Sequence, residues 1–182
     1  MERYEMAMEK KDALEDILLE LMQQMPYEQI TVIHIVQRLG VSRRTFYRNF
    51  SNKDACFCAL TDRLIQEMYL EIQEGYRFSK SVYLLYFAYW YKNREYLRCV
   101  MRNKLEEVFT ERIGNHARTE ERDFLKKISS PIADRDEDIL MFYTRGIVAM
   151  LMNWTRRDFD TPVEKMAKKM VRVIHSPMID AE

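Results

Sequence analysis

Residues 31–53 read TVIHIVQRLGVSRRTFYRNFSNK and hold five Lys or Arg residues with no Asp or Glu. The acid-free run is longer still, from just after Glu28 to just before Asp54. The whole chain carries 29 basic and 29 acidic residues and no net charge, so cations are gathered locally, where a phosphate backbone would lie. Thr31 reads as an N-cap. Stepping about 100° per residue puts Val32, Ile35, Val36 and Leu39 on one arc, with His34, Gln37 and Arg38 opposite. Propensity alone would make ITVIHIV a strand, because it is rich in β-branched residues. The helical period and the punctuation that follows decide for a helix. Gly40 stands where that helix must stop in a left-handed conformation, and Ser42 caps another after a turn of about three residues. In this second helix the projection gathers Arg43, Arg44, Tyr47 and Arg48 within roughly 140° of arc, with Phe46 and Phe50 elsewhere on the circumference. Arg44 and Arg48, four residues apart, repel by about a few tenths of a kcal/mol, a cost that phosphates would reverse.

On the amino-terminal side, Leu14, Ile17, Leu18, Leu21, Met22 and Met25 recur at one-face helical spacing, predicting a helix from about Tyr4 to Met25 that Pro26 ends. On the other side, Ser51 or Asn52 caps a fourth helix running from Lys53 towards Gly75, with Leu60, Leu64, Met68 and Ile72 inward. Beyond it lie the nearly all-apolar VYLLYFAYWY at 82–91, an amphipathic stretch from Tyr96 to about Phe109, and a polar region from Glu111 to Asp123 that reads as solvated. Two more helices are expected, roughly Asp136 to Arg156 and Val163 to Ile174. In the last, Val163, Met166, Ala167, Met170, Val171 and Ile174 form a regular stripe.

The 182 residues are 47% hydrophobic with four Gly and four Pro, which suits an all-α fold with a real core. Three Cys make an odd count without zinc-site spacing, so neither a disulfide framework nor a structural metal is expected, and a reducing cytoplasm fits. The acidic start MERYEMAMEK is unlike a secretory signal, and the run 82–91 is too short to cross a bilayer, so no membrane association is expected.

Thr31, Ile35, Gly40, Ser42, Thr45, Phe46, Tyr47, Phe50 and Lys53 fit the pattern T-x3-I-x4-G-x-S-x2-T-[LF]-Y-x2-F-x2-K. In this the chain resembles the TetR family of bacterial transcriptional regulators. The segment GIVAMLMNW at 146–154, followed by a short amphipathic helix, looks like the branch that includes regulators of dihydroxyacetone kinase operons. The resemblance implies a three-helix helix-turn-helix head at 1–52, with the motif at about 31–50, and a helical effector-binding and dimerisation body at 53–182. It further implies a homodimer on a pseudo-palindromic double-stranded operator. The expected regulator is a repressor released by a small molecule, or alternatively a co-activator or sensor whose body binds a partner protein. By the same resemblance Ser42, Arg43, Arg44, Thr45, Tyr47, Arg48 and Asn49 belong to the DNA-facing element, while Thr31 and Lys53 hold the backbone at helix starts. The chain departs from the family's pattern with Val36 and Leu39 where Ala is usual, Arg44 where a small residue is common, and Asn49 for His.

In the body, Tyr83, Tyr86, Phe87, Tyr89, Trp90 and Tyr91, with Phe142, Tyr143 and Trp154, either line a pocket for a planar or apolar effector or form core. Tyr86, Trp90, Phe142, Arg145 and Trp154 are the candidate lining. Arg145 interrupts an apolar run, where it meets an anionic effector, pairs with an acid across a dimer, or snorkels. Gly146 and Ala149, with Met166, Met170 and Ile174, mark a dimer face or packing within one subunit. No enzyme constellation, cofactor motif or metal ligand set is apparent. His34, His116 and His175 are far apart and read as surface or capping residues.

Overall fold

In the computed structural model, which describes residues 2–79, 81–127 and 136–175 and the side chains of 9–76, 81–119, 122–127 and 136–173, every regular element is helical. These are α1 (Glu2–Gln24), a single 3-10 turn (Tyr27–Gln29), α2 (Val32–Leu39), α3 (Arg43–Asn49), α4 (Lys53–Ser79), α5 (Val82–Lys92), α6 (Arg94–Arg102) and α7 (Glu106–His116). A π-helical segment (Ala117–Glu121), α8 (Arg122–Lys127), α9 (Glu137–Arg156) and α10 (Val163–His175) complete the order. Two compact units divide the chain: Met1–Leu64 with Arg98–Arg112, and Ile65–Leu97 with Ile113–Glu182. Helices α4, α6 and α7 each give residues to both.

In the first unit, α1 packs on α2 and α2 on α3. Leu14, Leu18, Met22, Ile35 and Phe46 are fully buried, the positions that the helical period turns inward. The β-branched segment is helical because its ends are fixed. Thr31 Oγ1 accepts the His34 N–H at 3.3 Å while His34 Nδ1 accepts the Thr31 N–H at 3.3 Å, a reciprocal box with His in the place usual for Glu. At the other end Gly40 is left-handed (φ 72°), and the Schellman pair closes the helix, Gly40 N–H to Gln37 O at 3.2 Å and Val41 N–H to Val36 O at 2.9 Å. Asn52, of the two candidates, caps α4 by accepting the Ala55 N–H at 2.8 Å. Two Arg–carboxylate groups lie deeper. Arg63 bonds Glu15 at 2.6 Å and Asp16 at 2.5 Å, and Arg112 holds Asp62 through two nitrogens. Glu15 is fully buried, and burial keeps its carboxyl above the ordinary range against the pull of Arg63.

The stretch from Tyr96 to Phe109 is broken where no glycine announced it. Lys104 adopts φ 57° and the Schellman pair recurs, Lys104 N–H to Met101 O at 3.2 Å and Leu105 N–H to Val100 O at 2.9 Å. Nor is 111–123 solvated throughout. It is helical, with Ile113 and His116 buried on one side and Glu111, Arg118, Thr119, Arg122 and Asp123 exposed on the other. His116 is therefore not at the surface, whereas His34 does cap; the His175 side chain lies outside the described residues.

In the second unit α10 packs on α5. Gly75 does not end α4. The helix continues through it to Ser79, and the glycine serves packing instead: a Cβ there would stand 2.8 Å from Leu85 Cδ2 of α5. The α9–α10 connection uses two left-handed non-glycine residues, Asp158 (φ 51°) and Phe159 (φ 58°), around Trp154. The Trp154 ring meets Phe159 at 5.0 Å and Phe87 at 5.8 Å, and its indole N–H donates to Thr161 O at 2.9 Å.

Candidate nucleic-acid interface

Cap chemistry aims the second helix of the motif. Ser42 Oγ accepts the Thr45 N–H at 3.2 Å and lies 3.0 Å from Thr45 Oγ1, so both hydroxyls sit at the start of α3. Phe46 is fully buried and meets Phe50 at 5.6 Å, which fixes the rotation of α3. That rotation leaves Arg43, Arg44, Tyr47 and Arg48 exposed together, with Thr45 and Asn49 half-buried beside them. Tyr47 is 49% exposed and Ile33 of α2 45%, so apolar surface lies beside the cations. The Arg43 guanidinium stands 5.9 Å over the Tyr47 ring. The Asn49 amide nitrogen donates to Thr45 O at 2.8 Å, so its oxygen is the end left to accept from a base. Arg38 pairs with Glu20 of α1 at 3.6 Å on the surface, which sets it apart from the α3 cations.

Thr31 and Lys53 both bond the protein's own main chain, Thr31 Oγ1 accepting the His34 N–H at 3.3 Å. Lys53 Nζ donates to Tyr27 O at 2.5 Å and Ile30 O at 2.9 Å, and stands 4.0 Å over the Tyr27 ring. Two of its three N–H groups are thus spent inside the protein, leaving one for a phosphate. Sequence reasoning missed Tyr27, which is 6% exposed and donates its hydroxyl to Asp54 at 2.7 Å; burial and that carboxylate push the phenol far above its usual range. Nothing in its immediate sequence marks it.

In the second unit the five candidate pocket residues divide. Tyr86, Trp90 and Trp154 are buried; Tyr86 and Trp90 meet edge to face at 6.4 Å, and Trp154 is enclosed by Phe87, Tyr91 and Phe159. Each packs on other aromatic rings. Phe142, by contrast, is 60% exposed. Arg145 is exposed, and its guanidinium lies across Gly114, where a Cβ would come within 2.9 Å of Nη2. The residues expected at a dimer face divide too. Gly146 opens onto space and Ala149 is exposed, but Met166 and Met170 are each 2% exposed. Their stripe faces inward, because α10 needs it to pack on α5. The Ile174 side chain lies outside the described residues. Among those residues no group of His, Cys, Asp or Glu could hold a metal, and no helix is long and apolar enough to cross a membrane. Burial raises the Cys56 and Cys58 thiols, which argues against a reactive thiolate at either.

Residues 17–60 match the model described as "Bacterial regulatory proteins, tetR family", and residues 78–176 match one described as "Transcriptional regulator C-terminal region". A solved structure titled "Dihydroxyacetone kinase operon activator DhaS" is similar at TM-score 0.56 and 21% sequence identity, over 91% of this chain and 93% of that one. No curated protein matches.

Proposed function

Because the chain belongs to the TetR family and is a DNA-binding transcriptional regulator, we propose that it acts as a homodimer whose two α3 helices enter successive major grooves of a pseudo-palindrome, about 34–36 Å apart. The functional head is residues 1–52 and the effector-binding and dimerisation body 53–182. The observation that carries the DNA face is the exposed cluster of Arg43, Arg44, Tyr47 and Arg48 on a helix anchored by Phe46. Its guanidinium groups suit guanine O6 and N7 or phosphate, Asn49 suits adenine or cytosine amino groups, and Lys53 and the capped amino ends of α2 and α3 suit phosphate. The second copy covers the outer face of α9, where Phe142, Gly146 and Ala149 recur on one side. Phe142 left 60% exposed is the support for it.

Occupancy of the operator represses transcription, and a small-molecule effector relieves it. The effector acts through the body, with Arg145 over Gly114 as the cation for an anionic group. A ligand that prefers the DNA-incompetent arrangement by about a few kcal/mol suffices to empty the operator, and α4, α6 and α7, which each give residues to both units, are the covalent routes. A second reading, activation, is favoured by the printed name of the similar solved structure, a kinase operon activator. On this reading the chain is a co-activator or sensor whose body binds a partner protein rather than a metabolite.

Fluorescence anisotropy on a duplex selected from random sequence, with random DNA as control, tests the DNA face. Roughly 6 to 10 phosphate contacts per dimer predict a loss of about a thousandfold or more in affinity between 50 and 200 mM salt. A flat salt response would reject the interface. Sedimentation of Phe142→Lys tests the dimer: a monomer is expected, and an unchanged dimer would move the interface elsewhere.

A further inference from the structure

The turn after α6 reaches back to the connection that leads into the helix-turn-helix, all within the first unit. Asn103 is 6% exposed, and its amide is used at both ends: Oδ1 accepts the Tyr27 N–H at 2.7 Å, and Nδ2 donates to Cys99 O at 2.9 Å. Reversing the amide would lose both bonds, so its orientation is fixed. Arg102 beside it donates to Met22 O in the last turn of α1. Tyr27 passes the constraint on. Its carbonyl takes Lys53 Nζ at 2.5 Å, the same ammonium holds Ile30 O at 2.9 Å, and Ile30 precedes Thr31, the cap of α2. The next residue in the turn, Lys104, is held left-handed at φ 57° without being glycine. Such a conformation is disfavoured for a residue with a Cβ and persists only where surroundings enforce it. The same residues wall a cleft of about 320 Å³ with Gln23, Gln24 and Pro26, so the turn touches the α1–α2 connection without filling the space beside it.

We propose that Asn103 is a positioning residue for operator recognition: through Tyr27 and Lys53 it sets where α2 begins, and so where α3 presents its cations, without touching DNA itself. The proposal rests on the assignment of the α2–α3 face to DNA. The Tyr27 N–H has no helical partner at this bend, and a buried amide left without an acceptor moves towards water, carrying the carbonyls that Lys53 gathers. The expected consequence is a loss of register on specific DNA, where several base contacts must be made at once. Random DNA asks only for charge and should be indifferent.

The test compares wild type with Asn103→Leu, Asn103→Ser, Arg44→Ala and Arg48→Ala on a duplex selected by the wild-type protein and on random DNA at fixed salt, with thermal unfolding alongside. Leu offers no acceptor, and the Ser hydroxyl falls short of Tyr27 while adding no apolar surface, so the Ser variant serves if Leu prevents folding. Ser and Leu should weaken selected-duplex binding by about tenfold and leave random-DNA binding unchanged. Wild-type affinity in the Ser variant, or equal losses on both DNAs, would overturn the positioning role. If Arg48→Ala weakens the selected duplex while Asn103→Ser does not, only the role of Asn103 is lost. If no α3 substitution, Arg48→Ala or Arg44→Ala, affects it, the DNA-face assignment fails and the positioning role with it.

Discussion

Two helix-ending turns, Gly40 in the first unit and Asp158–Phe159 in the second, use the same pair of backbone hydrogen bonds and reach it by opposite means. At Gly40 the left-handed residue has no Cβ, a Cβ placed there would meet nothing within 4 Å, and Ser42, the cap of α3, stands two positions on. The bonds that make the turn all lie within its own segment. After α9 the bonds are Asp158 N–H to Thr155 O at 2.9 Å and Phe159 N–H to Trp154 O at 3.0 Å, but both left-handed residues carry side chains. The cost, about 1–2 kcal/mol for each, is offset by the Phe159 ring packing on Trp154 and Tyr91. A turn made locally joins α2 to α3 without help from distant side chains; a turn braced by packed rings exists only when the body is folded.

The contrast can be broken most forcefully at Trp154. Trp154→Ala should cost about 3–5 kcal/mol in denaturant unfolding, since it removes a fully buried ring and the support of the left-handed pair. A loss under about 1 kcal/mol would mean that the turn holds itself. On the DNA side, Arg48→Ala should leave unfolding unchanged, because Arg48 is exposed, and cost about 1–3 kcal/mol in operator binding with relaxed preference at one base pair. Equal losses on operator and random DNA would reassign Arg48 to phosphate. The smallest effect belongs to Gly40→Ala, expected to destabilise by about 1 kcal/mol through backbone strain alone, since no neighbour opposes the methyl group. Unchanged stability in a thermal melt would show that the turn relaxes to another conformation.

The same contrast explains what could be read in advance. The ends of α2 and α3, the burial of Ile35, Val36, Phe46 and Phe50, and the exposure of the arginines all follow from short-range spacing and cap chemistry. Helix α2 overcame its β-branched composition because its ends were fixed locally. The break at Lys104, the passage of α4 through Gly75 and the burial of His116 could not be read this way. Each depends on a partner far along the chain, or on a conformation that the residue itself disfavours. The aromatic segment 82–91 was ambiguous for the same reason: periodicity says that Tyr86 and Trp90 are buried, not whether a ligand or another ring covers them. Among the described residues they meet other rings.

The amino-acid sequence by itself determined the helical class, the helix-turn-helix with its caps and glycine, and the set of cations on α3, because each is an interaction spanning at most a few residues. Only tertiary structure decided that Lys53 spends two of its bonds on Tyr27 and Ile30, that Met166 and Met170 face α5 rather than a second copy, and that Asn103 braces Tyr27 across 76 positions. Those contacts are made by groups whose chemistry permits many partners, and the folded chain alone selects which one is near.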